Sequence, residues 1–235
     1  MKRNALILGS SKGIGQAALK AALSSNYDAQ VVSSKDIDIS SSESINSFAN
    51  KIKDKNFDLI FFNSGGLPPF KYPSETKSKN QIELSNTLNK SLNAHTMGYV
   101  KLFDRLSLNK NCLLIHVSSH IVVNKEAVMF ASAVARSAME KFMEYLPVIF
   151  PDLNLVCINL RFGPVLTDRL SYLLSGNSIK PENLMEKLGS TSENPISVDE
   201  VERLISYIIN TGRFVNGSCT LNCDSGIGPN LNILP

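Results

Sequence analysis

A short apolar run, Ala5 to Leu8, passes directly into Gly9-Ser10-Ser11-Lys12-Gly13-Ile14-Gly15, after which Ile14, Ala17, Ala18 and Ala21 recur at helical spacing. A buried strand that turns through glycines into a helix has few structural homes. Glycines allow a tight turn and a close approach of backbone to a ligand, while the free N–H groups and positive dipole at the start of the helix attract negative charge. The segment therefore reads as a phosphate cradle. A glycine-rich turn alone is a weak signal, but its position between a strand and a helix is the context in which the motif binds a dinucleotide pyrophosphate.

The rest of the chain repeats this alternation. Apolar strand candidates are Ala5 to Leu8, Ala29 to Val32, Leu59 to Phe62, Leu113 to Val117, Leu155 to Leu160 and Ser218 to Asn222. Between them the helical pattern predicts helices near Ile14 to Ser24, Glu43 to Lys53, Ile82 to Leu106, Ala127 to Phe150 and Val198 to Asn210. Strands alternating with helices predict a Rossmann-type α/β fold: a doubly wound parallel sheet in a three-layer α/β/α sandwich. With 235 residues and no internal linker, a single domain covering residues 1–235 is expected. Two stretches break the rhythm, Gly65 to Lys79 and Leu170 to Asn194. Ligands of open parallel sheets lie beyond the carboxyl ends of the strands, so both stretches are placed to roof one cleft, and 170–194 is the candidate substrate-covering segment.

Composition narrows the function classes. A net charge of +3, with lysines scattered rather than clustered, argues against nucleic acid as a partner. The apolar run after Met1-Lys2-Arg3-Asn4 is too short for a signal peptide or a membrane span, so a cytoplasmic protein without membrane association is expected. Cys112, Cys157, Cys219 and Cys223 form no C-x-x-C pair and have no histidine at ligand spacing. They read as free buried thiols, with no metal site implied.

At this point the residues carry a family resemblance. The G-x-x-x-G-x-G spacing of Gly9, Gly13 and Gly15 resembles that of the short-chain dehydrogenase/reductase superfamily. Asn63-Ser64-Gly65-Gly66 resembles the family's N-A-G segment beside the adenosine ribose, and Asp38-Ile39-Ser40 its acidic contact to adenine. Phe162-Gly163-Pro164-Val165-Leu166-Thr167-Asp168 resembles the P-G-x-x-x-T segment against the nicotinamide, and Cys223-Asp224-Ser225-Gly226 resembles the family's late D-G-G. The resemblance spans essentially the whole chain. It implies a dinucleotide site formed by Gly9, Ser11, Lys12, Gly13, Ile14, Gly15, Ser34, Lys35, Asp38, Asn63, Ser64, Gly65, Gly163, Val165 and Thr167. Lys35, where NADP-preferring relatives often place arginine, with donors on Ser33 and Ser34, favours NADP(H). Asp36 at the same strand end keeps NAD(H) open. The helix that the family usually carries after the second strand is missing from Ser33 to Asp36.

The same resemblance places a reaction site with an altered pattern. Asn93 matches the asparagine of the family's catalytic tetrad and Ser119 its serine; thirteen residues on, where the family has tyrosine, stands Ser132, and four further, where it has lysine, stands Arg136. A subgroup resembling 3-oxoacyl-[acyl-carrier-protein] reductases shares this S-x-x-x-R variation and a run like Gly65-Gly66-Leu67-Pro68. A phenol with pKa near 10 can be drawn toward neutrality by an ammonium group, whereas an aliphatic hydroxyl is too weak an acid to be tuned in that way. Arg136 stays charged and cannot relay a proton. Loss of a positioned general acid typically costs about a hundred- to ten-thousand-fold in rate.

His120 follows Ser119 and is a candidate to supply a proton near neutral pH, but alternation along an extended segment points it away, toward solvent. His116 and His95 read as packed or surface histidines. Only Tyr72 and Tyr172, in the two roofing stretches, are placed to swing in. Two functions follow. One is an oxidoreductase passing hydride between NADP(H) and a small carbonyl, hydroxyl or 3-oxoacyl compound; the alternative is a catalytically silent dinucleotide-binding regulatory or scaffold protein. The resemblance further implies a homodimer or homotetramer through the two long helices, whose Met97, Leu102, Met139 and Phe142 suit an outward face and the core equally.

Overall fold

The glycine turn sits where the sheet divides. The structure, a computed structural model, describes residues 2–63, 77–123, 129–168, 170–171, 195–211, 217–223 and 233–234. In chain order the elements are β1 (Arg3–Leu8), α1 (Gly13–Ser24), β2 (Tyr27–Val32), α2 (Ser42–Ile52), β3 (Asn56–Phe62), α3 (Lys77–Leu92), a π-helical turn (Asn93–Met97), α4 (Gly98–Phe103), β4 (Ser107–Ser119), a 3-10 turn (His120–Val122), α5 (Phe130–Ile149), β5 (Val156–Phe162), α6 (Val198–Thr211), β6 (Gly217–Cys223) and β7 (Ile233–Leu234). The sheet order is β2-β1-β3-β4-β5-β6-β7, and all pairs are parallel except β6 with β7. From β1 the chain winds first to one side, into β2, and later to the other, into β3. This reversal opens a crevice at the carboxyl end of β1, the place where open α/β sheets bind ligands.

The strands are near-continuous apolar runs because both faces are covered. One face packs β1, β3, β4 and β5 against α1 and α6, with Ala17, Ala21, Leu204 and Ile208 in the same cluster as Ile7, Phe61 and Ile158. On the other face Leu6, Ile60 and Leu114 pack with Phe48 of α2, Leu102 of α4 and Met139 and Met143 of α5. Two helix starts are secured locally. Ser41 accepts from the amide of Ser44, and Ser197 and Glu200 form a reciprocal capping box at α6. The four cysteines are buried, and burial pushes the Cys157 thiol up to about 12.

The six expected parallel strands and five helical regions are present, with informative differences. The long helix expected over Ile82 to Leu106 starts at Lys77, ends at Phe103 and is interrupted by the π-helical turn. The next one begins at Phe130 rather than Ala127. β4 starts six residues earlier than expected and reaches β3 past an irregularity between Phe57 and Leu59. The antiparallel β7 was not expected at all; as a two-residue strand it has no periodicity to detect. Of the two placements open to them, Leu102 and Met139 take the core: both are fully buried, and Phe142 packs against the same core. Of that set Met97, at the end of the π-helical turn, is the exposed one.

Candidate active site

Each glycine of the first turn is required by a backbone contact or by its own dihedral angle. Gly9 has φ +72° and Gly13 φ +51°. A Cβ on Gly9 would lie 2.0 Å from the Asn63 carbonyl oxygen, one on Gly15 would lie 1.9 Å from the Gly9 carbonyl oxygen, and one on Gly13 would lie 2.8 Å from the Thr167 Cγ2. The turn is braced from both neighbours: Gly9 N donates to the Val32 carbonyl at 2.8 Å, and Asn63 Nδ2 donates to the Gly9 carbonyl at 3.1 Å. At the start of α1, Lys12 occupies the cap position without a side-chain bond to the helix amides, and the first turn holds no acidic residue. The leading amides and the positive end of the helix dipole thus remain available to an anion. A concave, anion-attracting cradle with no room for a side chain fits the pyrophosphate of a dinucleotide.

The second strand ends in a turn closed by Asp36, whose carboxylate accepts from Ser33 N at 2.8 Å and from Ser33 Oγ at 2.7 Å. These bonds hold its pKa below the usual carboxylate range. Ser34 and Lys35 are exposed beside it. Asp38 is similarly engaged, through Ser40 N at 2.9 Å and the Ser40 hydroxyl at 2.6 Å. Across the crevice, Gly163 N donates to the Cys223 carbonyl at 2.8 Å. Val165 pairs with Ile196 in a parallel bridge outside the sheet, so the chain before and after the expected covering segment lies side by side. Thr167 meets Gly13, and Lys12 pairs with Asp168 at 2.9 Å with both side chains largely exposed. The glycine turn and the segment after β5 therefore face each other. Ser11 and Ile14 lie on the turn between them, exposed and half-buried.

Ser119 ends β4, half-buried, and its Oγ accepts from Ile121 N at 3.4 Å. Ser132 lies half-buried in the first turn of α5, and Arg136, one turn on, reaches back so that Nη1 donates to the Val117 carbonyl at 2.5 Å. The structure thus ties the S-x-x-x-R face of α5 to β4 just ahead of Ser119. Asn93 opens the π-helical turn with an exposed side chain, while His95 is almost fully buried. Thr96 Oγ1 donates to the Ala135 carbonyl at 2.6 Å and holds this turn against α5. His120 corrects the expectation of a solvent-facing residue: it is 7% exposed. Strand alternation ends at Ser119 and the 3-10 turn folds the imidazole inward. Leu170, the first buried residue of the covering stretch, packs with Ile121, Met129 and Ala133, next to Ser119 and Ser132. Ser64, Gly65, Tyr72, Tyr172, Asp224 to Gly226 and most of 170–194 lie outside the described residues.

Beneath this surface is a polar cluster that sequence reading missed. Glu140 on α5, 3% exposed, accepts from Arg161 Nε at 2.9 Å and Nη2 at 2.7 Å, and from the Ser118 hydroxyl at 2.5 Å. Glu140 raises the Arg161 guanidinium pKa still further. Asn159 Nδ2 donates to the Glu140 backbone carbonyl at 3.5 Å and to Thr220 Oγ1 at 3.4 Å, which leaves its Oδ1 to accept from His116 Nδ1 at 3.0 Å. His116 is therefore neutral with its proton on Nδ1, and burial, reinforced by the positive charge of Arg136, pushes its pKa down to about 3. The one available signal was spacing: Glu140 follows Arg136 by four residues and Ser132 by eight, on one helix face.

No family model and no curated protein matches the chain in sequence. Solved structures do. A short chain dehydrogenase family protein from Francisella tularensis subsp. tularensis SCHU S4 superposes with a TM-score of 0.77 at 17% identity, over 96% of this chain and 98% of that one. ElxO with NADP bound gives 0.74 at 18% identity, over 96% and 98%. A short chain dehydrogenase from Burkholderia cenocepacia J2315 in complex with NADP gives 0.73 at 15% identity, over 95% and 97%. The wound sheet, the glycine turn at its switch point and these superpositions together give the chain the fold of the short-chain dehydrogenases and reductases.

Proposed function

We propose that this chain is an oxidoreductase that binds NADP(H) across the carboxyl end of β1 and exchanges hydride with a small carbonyl, hydroxyl or 3-oxoacyl compound. The cradle of Gly9, Gly13 and Gly15, in which a Cβ on Gly9 or Gly15 would overlap backbone, carries the reading. Ser11, Lys12 and Ile14 line the same turn and Asn63 braces it; by the family resemblance Asn63, Ser64 and Gly65 are assigned to the ribose and Asp38 to the adenine. Ser34 and Lys35 are the donors for a 2′-phosphate. Both Ser33 bonds fall on Oδ2 of Asp36, so the preference for NADP(H) over NAD(H) rests on the exposed donors Ser34 and Lys35. The NADP named with ElxO and with the Burkholderia protein supports the same choice.

Bound there, the dinucleotide supplies the hydride chemistry. Gly163, Val165 and Thr167 shape the nicotinamide side. Ser119, whose oxygen already accepts from Ile121, has its hydroxyl proton to donate to a substrate oxygen. Arg136 provides fixed positive charge at the end of β4, and Ser132 and Asn93, neither of them a general acid of useful pKa, complete the lining among the described residues. Turnover accordingly rests on proximity and hydrogen bonding and is slow. We also propose a homodimer or homotetramer, built on the exposed part of α5.

Calorimetric titration with NADPH and NADH, followed by a turnover screen on carbonyl and 3-oxoacyl compounds, tests this directly. NADPH is expected to bind more tightly than NADH, with slow oxidation that Ser119→Ala abolishes. Uptake of neither dinucleotide at millimolar concentration by folded protein would remove the proposal; uptake without turnover on any carbonyl would remove its enzymatic half.

A further inference from the structure

The Glu140 cluster joins the three elements that carry the reaction end of the site. Glu140 belongs to α5, Ser118 to β4 and Arg161 to β5; Ser118 and Arg161 are in-register neighbours on adjacent strands. Ser118 immediately precedes Ser119, Arg161 stands two residues before Gly163, and Glu140 lies on the face of α5 that bears Ser132 and Arg136. One carboxylate therefore locks the axial position of the helix over the ends of both strands. Its two oxygens take a two-pronged guanidinium and a hydroxyl, a geometry that a small slide of the helix would break.

Stability alone is a poor reason for such a cluster, because well-packed apolar residues of similar volume often match a buried ion pair or exceed it. The best-attested use of buried charge is to fix register. Resting on the dinucleotide reading above, we infer that Glu140, with Arg161 and Ser118, is a positioning group: it sets where α5 presents Ser132 and Arg136 to the nicotinamide end of the cofactor, and it has no part in holding the adenosine end. The pyrophosphate cradle is built from β1, α1, β3 and the segment after β5, so the two ends of the site are separable.

The triple variant Ser118→Ala/Glu140→Met/Arg161→Met removes the whole cluster without leaving a buried charge unpaired. Arg161→Lys is the milder companion, keeping the charge and losing the two-pronged geometry. Each is titrated with NADPH and with 2′,5′-ADP, which occupies only the adenosine end, and the fluorescence of bound NADPH is recorded. Both variants are expected to fold and to bind 2′,5′-ADP as wild type does. The preference for NADPH over 2′,5′-ADP is expected to shrink by roughly tenfold in the triple variant, in line with the coupling between residues of one network, with a changed nicotinamide emission. Full retention of that preference and emission in both variants overturns the inference, as does equal weakening for both ligands, which marks a merely structural role. Wild-type protein that binds neither ligand fails at the earlier step and sinks the dinucleotide reading itself.

Discussion

At Gly9 the backbone leaves no room for a side chain: φ is +72°, and an added Cβ would lie 2.0 Å from the Asn63 carbonyl oxygen. Gly9→Ala combines left-handed strain with displacement of β3, and a loss of at least about 2 kcal/mol is expected. Urea unfolding measures it, and an alanine protein with the wild-type midpoint would contradict the close packing of turn and strand. His116 gives a pH-dependent case. Its folded pKa of about 3 lies below the unfolded value near 6.5, so between those limits the unfolded chain binds the extra proton. The stability of the neutral form is complete above about pH 6.5 and is lost as pH falls toward 3, with a slope of at most about 1.4 kcal/mol per unit. Urea midpoints measured from pH 7 to pH 4 should fall less steeply in His116→Gln, and parallel curves for the two proteins would count against a buried neutral imidazole. Lys35 bears on cofactor choice: Lys35→Ala should weaken NADPH by roughly tenfold while leaving NADH within about twofold, as loss of one charge-assisted phosphate contact implies.

Among the elements, the helix running from Lys77 to Phe103 shows where sequence reading succeeds and where it stops. Its existence follows from periodicity, yet its π-helical turn does not, since one extra residue in a turn hardly alters the apolar spacing. The same limit explains Glu140: a lone acid on an apolar helix face gains meaning only from Ser118 and Arg161, which are distant in sequence. The glycine turn was legible because its chemistry is local. His120 was misread because alternation holds only while the strand continues, and the strand ends one residue earlier. The turn itself makes a testable joint. A Cβ on Gly98 would lie 1.9 Å from the Ile39 carbonyl oxygen, so α4 seats directly on the loop that carries Asp38. Gly98→Ala should destabilise the fold by about 1–3 kcal/mol, as overpacking does, and should raise amide exchange in residues 37–41 ahead of the rest of the sheet. Unchanged exchange there would show that helix and loop are not in register contact.

For the whole molecule, a doubly wound sheet commits one face to α1 and α6 and the other to α2, α4 and α5, so every helix has an outer side that must meet water or another chain. On most of them exposed apolar side chains stand singly, as Leu23 does on α1 and Tyr207 on α6. The end of α5 differs: Tyr145, Val148 and Ile149 are 61%, 74% and 56% exposed, and they fall within five consecutive residues. Scattered exposed apolar residues need no explanation, but large ones contiguous on a helix mark a surface that is covered in solution. An isologous pairing would set this stretch against its own copy, with each Val148 meeting the apolar stretch of the other chain. Sedimentation velocity should then give a dimer or tetramer at micromolar concentration. Val148→Glu, placing two like charges across the symmetry axis, should shift the species toward monomer while the urea midpoint of the monomeric fold changes by less than about 1 kcal/mol in equivalent stability, since the site is solvent-exposed within one chain. A protein that sediments as a monomer before the substitution, or an assembly indifferent to Val148→Glu, places the interface elsewhere and leaves the apolar turn of α5 as plain surface.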